Sequence, residues 1–302
     1  RGSVKNHAIF DAIRTATKYI QSNTTAIEET DATSLKSFDS DGFTLGVGST
    51  LSVVNQDTIE MASWNWKANG SGSLNEVGSI DSTVSVNTTS GFSIAKYTGD
   101  ASSGATIGHG LGSIPKMIIV KNLSIVSNWL VYNYSMSANG DYALFLDSSS
   151  AKDNSQDYWG DTTPTSSVFS LGARQEGNGS GNSMIAYCFA DVKGYSRFSS
   201  YVGNGSANGT FVYTGFKPAW VMVKETGNTN SWRLVDNKRS PSNVMNNTLY
   251  PNLDNAQETS SNEIDFLSNG FKPRTSDTNM NRSAGNYIYM AFAEEPLVAN
   301  VG

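Results

Sequence analysis

Pro115-Lys116-Met117-Ile118-Ile119-Val120-Lys121 is answered later in the chain by Pro218-Ala219-Trp220-Val221-Met222-Val223-Lys224, and the reading of this pair decides the fold. Each run is too short for a helix and rich in apolar, partly β-branched residues, the pattern of a strand buried on both faces. The two runs lie 103 positions apart (218 minus 115), and the same interval carries Trp129 to Trp232 and Phe189 to Phe292. A period of that length is a small domain rather than one coil of a solenoid. The last two thirds of the chain therefore describe one β-rich unit twice.

Working outward, the first full unit spans 91–193. Gly91-Phe92-Ser93-Ile94-Ala95-Lys96-Tyr97 alternates apolar with small or polar residues, a period-2 strand. After the motif come Trp129-Leu130-Val131-Tyr132, then Tyr142-Ala143-Leu144-Phe145-Leu146, then Ser167-Val168-Phe169-Ser170-Leu171, then the run 184–190. Short strands divided by turn residues are the pattern of an antiparallel sandwich. The next unit, 194–302, repeats the order. The segment 1–68 reads as the C-terminal part of an earlier unit: His7-Ala8-Ile9-Phe10-Asp11 stands where Trp129-Leu130-Val131-Tyr132-Asn133 stands, and Trp66 stands where Phe189 and Phe292 stand. On this register Arg1 follows the Lys121 position. Unpaired strand edges are then expected, to be covered by residues ahead of Arg1 or by another chain. Residues 69–90, with Asn69-Gly70-Ser71-Gly72-Ser73, read as a flexible linker. The joint at Asp191-Val192-Lys193-Gly194 is short, so those neighbours should touch. Residues 12–21 have helical spacing and are open to a short helix. The expected architecture is all-β: tandem antiparallel, jelly-roll-like sandwiches joined end to end, the first incomplete, with Trp129, Phe189, Trp232, Phe292 and Trp66 in equivalent core positions.

Composition agrees with this and excludes other classes. Of 302 residues only 16% are charged, below the roughly 25% of ordinary soluble domains, which argues against a helical bundle with a Glu- and Lys-rich surface. Aromatic residues reach 11%, too many for a disordered chain. With a net charge of −6 and no Lys/Arg cluster, no nucleic-acid partner is expected. No run approaches the ~18 apolar residues of a membrane span, and none resembles a signal peptide, so no membrane insertion is expected. The single cysteine, Cys188, lies in an apolar run and reads as a small buried hydrophobe.

Candidate chemistry is sparse. Two histidines, His7 and His109, lie far apart in different settings, so a His/Cys metal site is not expected. No Gly-x-Ser-x-Gly elbow opens a helix. Asp39-Ser40-Asp41-Gly42 has the start of a calcium loop, but its twelfth position is Thr50 rather than Glu, so it reads as a turn. Asp157-Tyr158-Trp159-Gly160-Asp161 joins flat rings to carboxylates in a polar stretch. Trp159, Tyr158 and Asp161 are therefore candidate glycan contacts, the other reading being a loop tryptophan that anchors the sandwich. No catalytic residue, metal or cofactor is assigned.

The motifs Tyr97-Thr98-Gly99, His109-Gly110-Leu111-Gly112, Pro115-Lys116-Met117-Ile118-Ile119-Val120-Lys121-Asn122, Ala186-Tyr187-Cys188-Phe189-Ala190 and Phe211-Val212-Tyr213-Thr214-Gly215-Phe216-Lys217-Pro218 resemble a repeat domain of virion structural proteins of marine tailed bacteriophages. The resemblance covers nearly the whole chain and brings no catalytic residues. It implies a non-enzymatic particle component on the virion surface, a tail-fibre or appendage protein contacting the host. The alternatives are a capsid decoration (head fibre) protein and a carbohydrate-binding or glycan-cleaving tailspike module. Implied partners are other copies of the chain, as a trimer or another symmetric oligomer, other virion proteins, and host surface polysaccharide.

Overall fold

A computed structural model describes residues 4–46, 54–57, 59–259 and 263–294. They are almost entirely antiparallel β-structure, in three lobes. Lobe 1 contains β1 (Ala8–Asp11), β2 (Thr15–Gln21), β3 (Glu29–Thr30), β4 (Leu35–Phe38) and β5 (Phe43–Leu45). Lobe 2 contains β6 (Ser73–Asn75), β7 (Ser82–Asn87), β8 (Phe92–Thr98), β9 (Ala105–Gly108), β10 (Met117–Asn122), β11 (Leu130–Asn133), β12 (Tyr142–Phe145), β13 (Asp153–Asn154), β14 (Val168–Leu171) and β15 (Ser183–Phe189). Lobe 3 contains β16 (Ser196–Val202), β17 (Val212–Tyr213), β18 (Pro218–Glu225), β19 (Arg233–Asp236), β20 (Thr248–Leu249), β21 (Ile264–Leu267), β22 (Gly270–Pro273) and β23 (Asn286–Ala293).

Lobes 2 and 3 share a plan. The large sheet of lobe 2 runs β13-β12-β11-β10-β15-β8-β7-β6, and that of lobe 3 runs β16-β23-β18-β19-β20. Read from β8 and from β16, the central order is the same. The register is the same too. Met117 pairs with Phe189 and Asn133 in lobe 2, as Trp220 pairs with Phe292 and Asp236 in lobe 3. A small sheet, β14-β9 in lobe 2 and β17-β22-β21 in lobe 3, covers one face of each large sheet. Lobe 1 has the sheet β1-β2-β3 and the hairpin β4-β5.

Strand alternation sends successive side chains to opposite faces. Ile118, Val120, Met184, Ala186 and Cys188 fill the interior of the lobe 2 sandwich, and Val221, Val223, Tyr287, Tyr289 and Ala291 that of lobe 3. The other faces do not reach solvent. Met117, Ile119, Ile185, Tyr187 and Phe189 meet Trp220, Met222, Ile288, Met290 and Phe292 in a single core, which Ile20 of lobe 1 also enters. The lobes are thus not strung end to end, as the sequence suggests, but folded against one another on their second faces. Burying that face removes far more apolar surface than a short joint between rods could.

At the centre, Trp66, Phe189 and Phe292 form a triangle with ring centroids 6.4, 5.4 and 6.3 Å apart. One ring comes from each lobe or its flank, at spacings typical of favourable aromatic pairs. Around it, each lobe bonds to the one before. Ser127 N–H donates to Thr25 O at 3.1 Å, Asn230 N–H to Ser149 O at 2.9 Å, and Lys5 N–H of lobe 1 to Asp254 O of lobe 3 at 2.9 Å. The third bond closes the ring.

Two expectations change. Residues 69–90 are not a free linker: β7 pairs along β8, and β6 pairs with β7 at the edge of the large sheet. Their glycines take the positive φ that glycine favours, Gly70, Gly72 and Gly78 having φ of 63°, 78° and 113°. Residues 12–21 form a turn and β2 rather than a helix, because pairing with β1 supplies the backbone partners that local periodicity leaves open. The short joint behaves as expected: Val192 bridges to Ser196, and the Asp191 carboxylate accepts from Phe198 N–H at 2.8 Å.

A shared core couples the lobes energetically. Calorimetry should therefore show one cooperative transition for lobes 2 and 3 rather than two. Phe292→Ala should cost about 3–5 kcal/mol by denaturant titration while keeping a single transition. Two resolved transitions in the wild type would contradict the shared core.

Candidate functional site

The junctions between lobes are where the signature residues converge. Trp129, 0% exposed, immediately precedes β11 and points across its lobe boundary. Its indole Nε1–H donates to Gln21 O at 3.0 Å and Thr24 O at 3.2 Å of lobe 1. Trp232 does the same one lobe on, donating to Phe145 O at 2.9 Å. His7 holds the third place: its Nε2 lies 3.0 Å from both Tyr250 O and Leu253 O of lobe 3. With two carbonyl neighbours, Nε2 carries the proton. Each residue is fixed in the same way from its own lobe, where His7, Trp129 and Trp232 N–H groups donate to Asn23 Oδ1, Asp147 Oδ1 and Asn252 Oδ1 at 2.9, 2.8 and 3.0 Å.

Beside each junction lies a second recurring position. Asp11 and Arg14 form a buried ion pair, and Arg14 also donates to Ile9 O at 3.0 Å. Asp236 and Arg239 repeat it at 2.6 Å, with Arg239 donating to Leu234 O at 3.3 Å. The Arg14 guanidinium reaches the Tyr187 hydroxyl of lobe 2, and that of Arg239 stacks 5.6 Å over Trp64 beside lobe 1. Lobe 2 has Asn133 and Met136 at these places, with Met136 in the central core.

Two buried lysines complete the junctions. Lys121 Nζ donates to Thr25 O and Ser127 O at 3.2 and 2.9 Å, and Lys224 Nζ to Ser149 O and Glu225 O at 3.2 and 2.7 Å. Burial pushes both ammonium groups down to about 8, partly offset by Asp147 and Glu225. Burial likewise raises the Asp147 carboxyl to about 6.

The candidate glycan contacts lie elsewhere. Tyr158 and Trp159 close the short helix α1 (Gln156–Trp159), capped by the Ser155 hydroxyl and ended by Gly160 at φ 63°. Both rings point inward: Trp159, 1% exposed, meets Tyr132 and Phe169 edge-on at 5.6 and 6.5 Å. Tyr158 lies between Phe145 and the Arg174 guanidinium, and its hydroxyl donates to Asp153 at 2.7 Å. Of the three, only Asp161 is exposed. A sugar cannot stack on faces already packed in the sandwich, so the glycan assignment is corrected to an anchoring role for Trp159 and Tyr158.

The remaining titratable groups are held by hydrogen bonds and ion pairs within the lobes. His109 is buried, its Nε2 3.1 Å from Thr165 O and its Nδ1 accepting from Leu111 N–H, and burial holds its pKa below the usual value. Asp39 accepts from the Ser37 and Thr44 hydroxyls at 2.7 and 2.8 Å across the β4-β5 hairpin, which lowers its pKa. Thr50 lies outside the described residues. Arg233 sits among Glu263, Glu258 and Asp277, with burial raising the Glu263 carboxyl to about 7. The guanidinium occupies the centre of that carboxylate group, and among the described residues no set of His, Cys, Asp or Glu is placed to hold a metal ion. Among them, too, no helix is long and apolar enough to cross a membrane. A surface cavity of about 350 Å³ lies among Lys217, Asn237, Asn243, Met245, Phe266 and Glu294. Sequence reading missed the junction acceptors Asn23, Asp147 and Asn252. The signal was present, since each lies three positions after Ile20, Leu144 and Leu249 of the central core.

A family model described as a domain of unknown function, DUF7483, matches residues 1–296. No curated protein and no solved structure gives a significant match.

Two outcomes are expected. Arg14→Met alone strands a buried carboxylate and should cost about 3–5 kcal/mol, whereas Asp11→Asn with Arg14→Met copies lobe 2 and should recover most of it; a double variant no better than the single by denaturant titration contradicts this. Burial holds the Lys121 and Lys224 ammonium groups near 8 in the folded chain, below the ordinary lysine value of 10.5. Their contribution is therefore present at high pH and lost as pH falls through about 8. Wild type should gain stability relative to Lys121→Met/Lys224→Met between pH 8 and about 9.5. The comparison cancels the Cys188 thiol, which burial raises to about 12. A pH-independent difference contradicts the burial argument.

Proposed function

The chain belongs to the DUF7483 family along nearly its whole length, and from that premise, which brings no activity, we propose that it is a non-enzymatic structural protein of a bacteriophage particle. In this reading the three lobes are copies of one repeat module, the first represented by its C-terminal part. They form a knob on a tail appendage, exposed on the virion and contacting the host surface. The observation that carries the reading is the use made of the signature residues. Trp129, Trp232, Phe189, Phe292 and Trp66 are spent on holding lobes together. Residues placed for assembly rather than chemistry suit a protein whose task is to be a durable part. The sequence motifs, which resemble repeats of phage virion proteins, supply the class of particle.

The closed arrangement adds a detail. Three lobes of one chain turn about a common core, so threefold packing of this module needs no second copy. Such a body can seat singly on the axis of a trimeric fibre. Its partners are then other virion proteins below it and host surface polysaccharide beyond it.

Immunogold labelling of intact particles with antibody against this chain tests the proposal. Label at the free ends of tail appendages is the expected result. Label spread over the head lattice would replace the appendage by a capsid decoration, and unlabelled particles from a culture that makes the protein would remove it from the virion.

A further inference from the structure

We propose that lobe 1 carries an acceptor groove for one added β-strand, bounded by the outer edge of β1 and by segment 61–66, and that its occupant is a strand of the type Pro-x-(apolar)4-Lys. The proposal does not rest on the particle reading.

The groove follows from the equivalence of the lobes. In lobe 2, β11 is paired on its outer side by β10, and β10 in turn by β15; in lobe 3 the succession is β19, β18, β23. β1 stands where β11 and β19 stand. Ile9 pairs with Ile20 as Val131 pairs with Leu144 and Leu234 with Leu249. Yet β1 is an edge strand, and among the described residues nothing pairs with its outer side. Trp64 and Trp66 stand where β15 and β23 stand. That stretch also lacks a described strand partner, and Met61 is 37% exposed where its counterparts Met184 and Tyr287 are 0%. The side chains of Trp64 and Trp66 are packed against the central core, so the segment is held in place. An unpaired strand edge is a template for strand addition.

The two filled slots define the occupant. Both hold Pro-x-(apolar)4-Lys, with alternate residues entering the central core: Met117 and Ile119 in one, Trp220 and Met222 in the other. The closing lysine of each reaches a carbonyl of the preceding lobe, Thr25 O for Lys121 and Ser149 O for Lys224. Each of those carbonyls also accepts a backbone N–H, from Ser127 and from Asn230. The counterpart for the third slot is Asp254 O, which accepts from Lys5 N–H in the same way. The Arg14 bond to Ile9 O is no obstacle, because Arg239 makes it to Leu234 O in lobe 3 with β18 in place. A second copy is a poor donor, since its own β10 and β18 lie inside their sheets.

The test uses the full chain and a fluorescent peptide with the sequence of residues 217–225. We expect saturable one-to-one binding, slower amide hydrogen exchange at residues 8–11 and 61–66, and at least tenfold weaker binding of the peptide carrying Met222→Pro, since proline cannot donate to the ladder. The proposal is overturned by absence of saturable binding, by equal binding of the proline peptide, by protection confined to other strands, or by a stable dimer of the chain that excludes the peptide.

Discussion

Everything in this molecule depends on sheets that must be covered twice. A sandwich of one large and one small sheet buries only one face of the large sheet, and here both faces are apolar. Ile119, Tyr187 and Phe189 in lobe 2, and Met222, Met290 and Phe292 in lobe 3, would otherwise lie open to water. Their mutual burial is worth roughly 25 cal/mol per Å² of apolar surface removed. It acts between parts of one chain, so it pays no association cost. The directional bonds at the rim then select one arrangement. A typical hydrogen bond nets only about 0.5–1.5 kcal/mol, yet an indole N–H buried without a carbonyl would be penalised. Trp129, Trp232 and His7 therefore specify which lobe follows which.

The recurring slots show what the arrangement tolerates. One position accepts tryptophan twice and histidine once, because each offers a ring N–H at the right reach. Another accepts a buried Asp–Arg pair in lobes 1 and 3 and Asn with Met in lobe 2. The neighbour it meets changes with it: Arg14 faces Tyr187, Arg239 faces Trp64, and Met136 shares the apolar core with Met290. A buried ion pair and a well-packed apolar pair are energetically similar solutions to one packing problem, provided neither charge is left alone.

Much of this was legible in the sequence, for physical reasons that can be named. The 103-residue interval and the strand register are the same fact, since side-chain alternation ties residue identity to face. The unbroken apolar run at 117–120 indicated burial on both faces, and burial on both faces implies a second cover. What could not be read was what supplies that cover, because apolar surface carries no address. Local rules misled where tertiary pairing overrode them. Gly70 and Gly72 lead the chain into β6 rather than forming a free joint, and the helical spacing of 12–21 yields to β2. Trp159 sits in a polar stretch but turns inward from a single helical turn, an orientation set by Ser155 and Gly160 that composition does not reveal.

The most direct measurement is a nuclear Overhauser experiment on the full chain with selectively labelled tryptophan and phenylalanine rings. Cross-peaks from the Trp66 indole to both Phe189 and Phe292 are predicted, since those centroids lie 6.4 and 5.4 Å away. A Trp66 ring in contact with neither, alongside intact Phe189–Phe92 and Phe292–Trp220 contacts within their own lobes, would mean that the lobes fold separately and do not share a core.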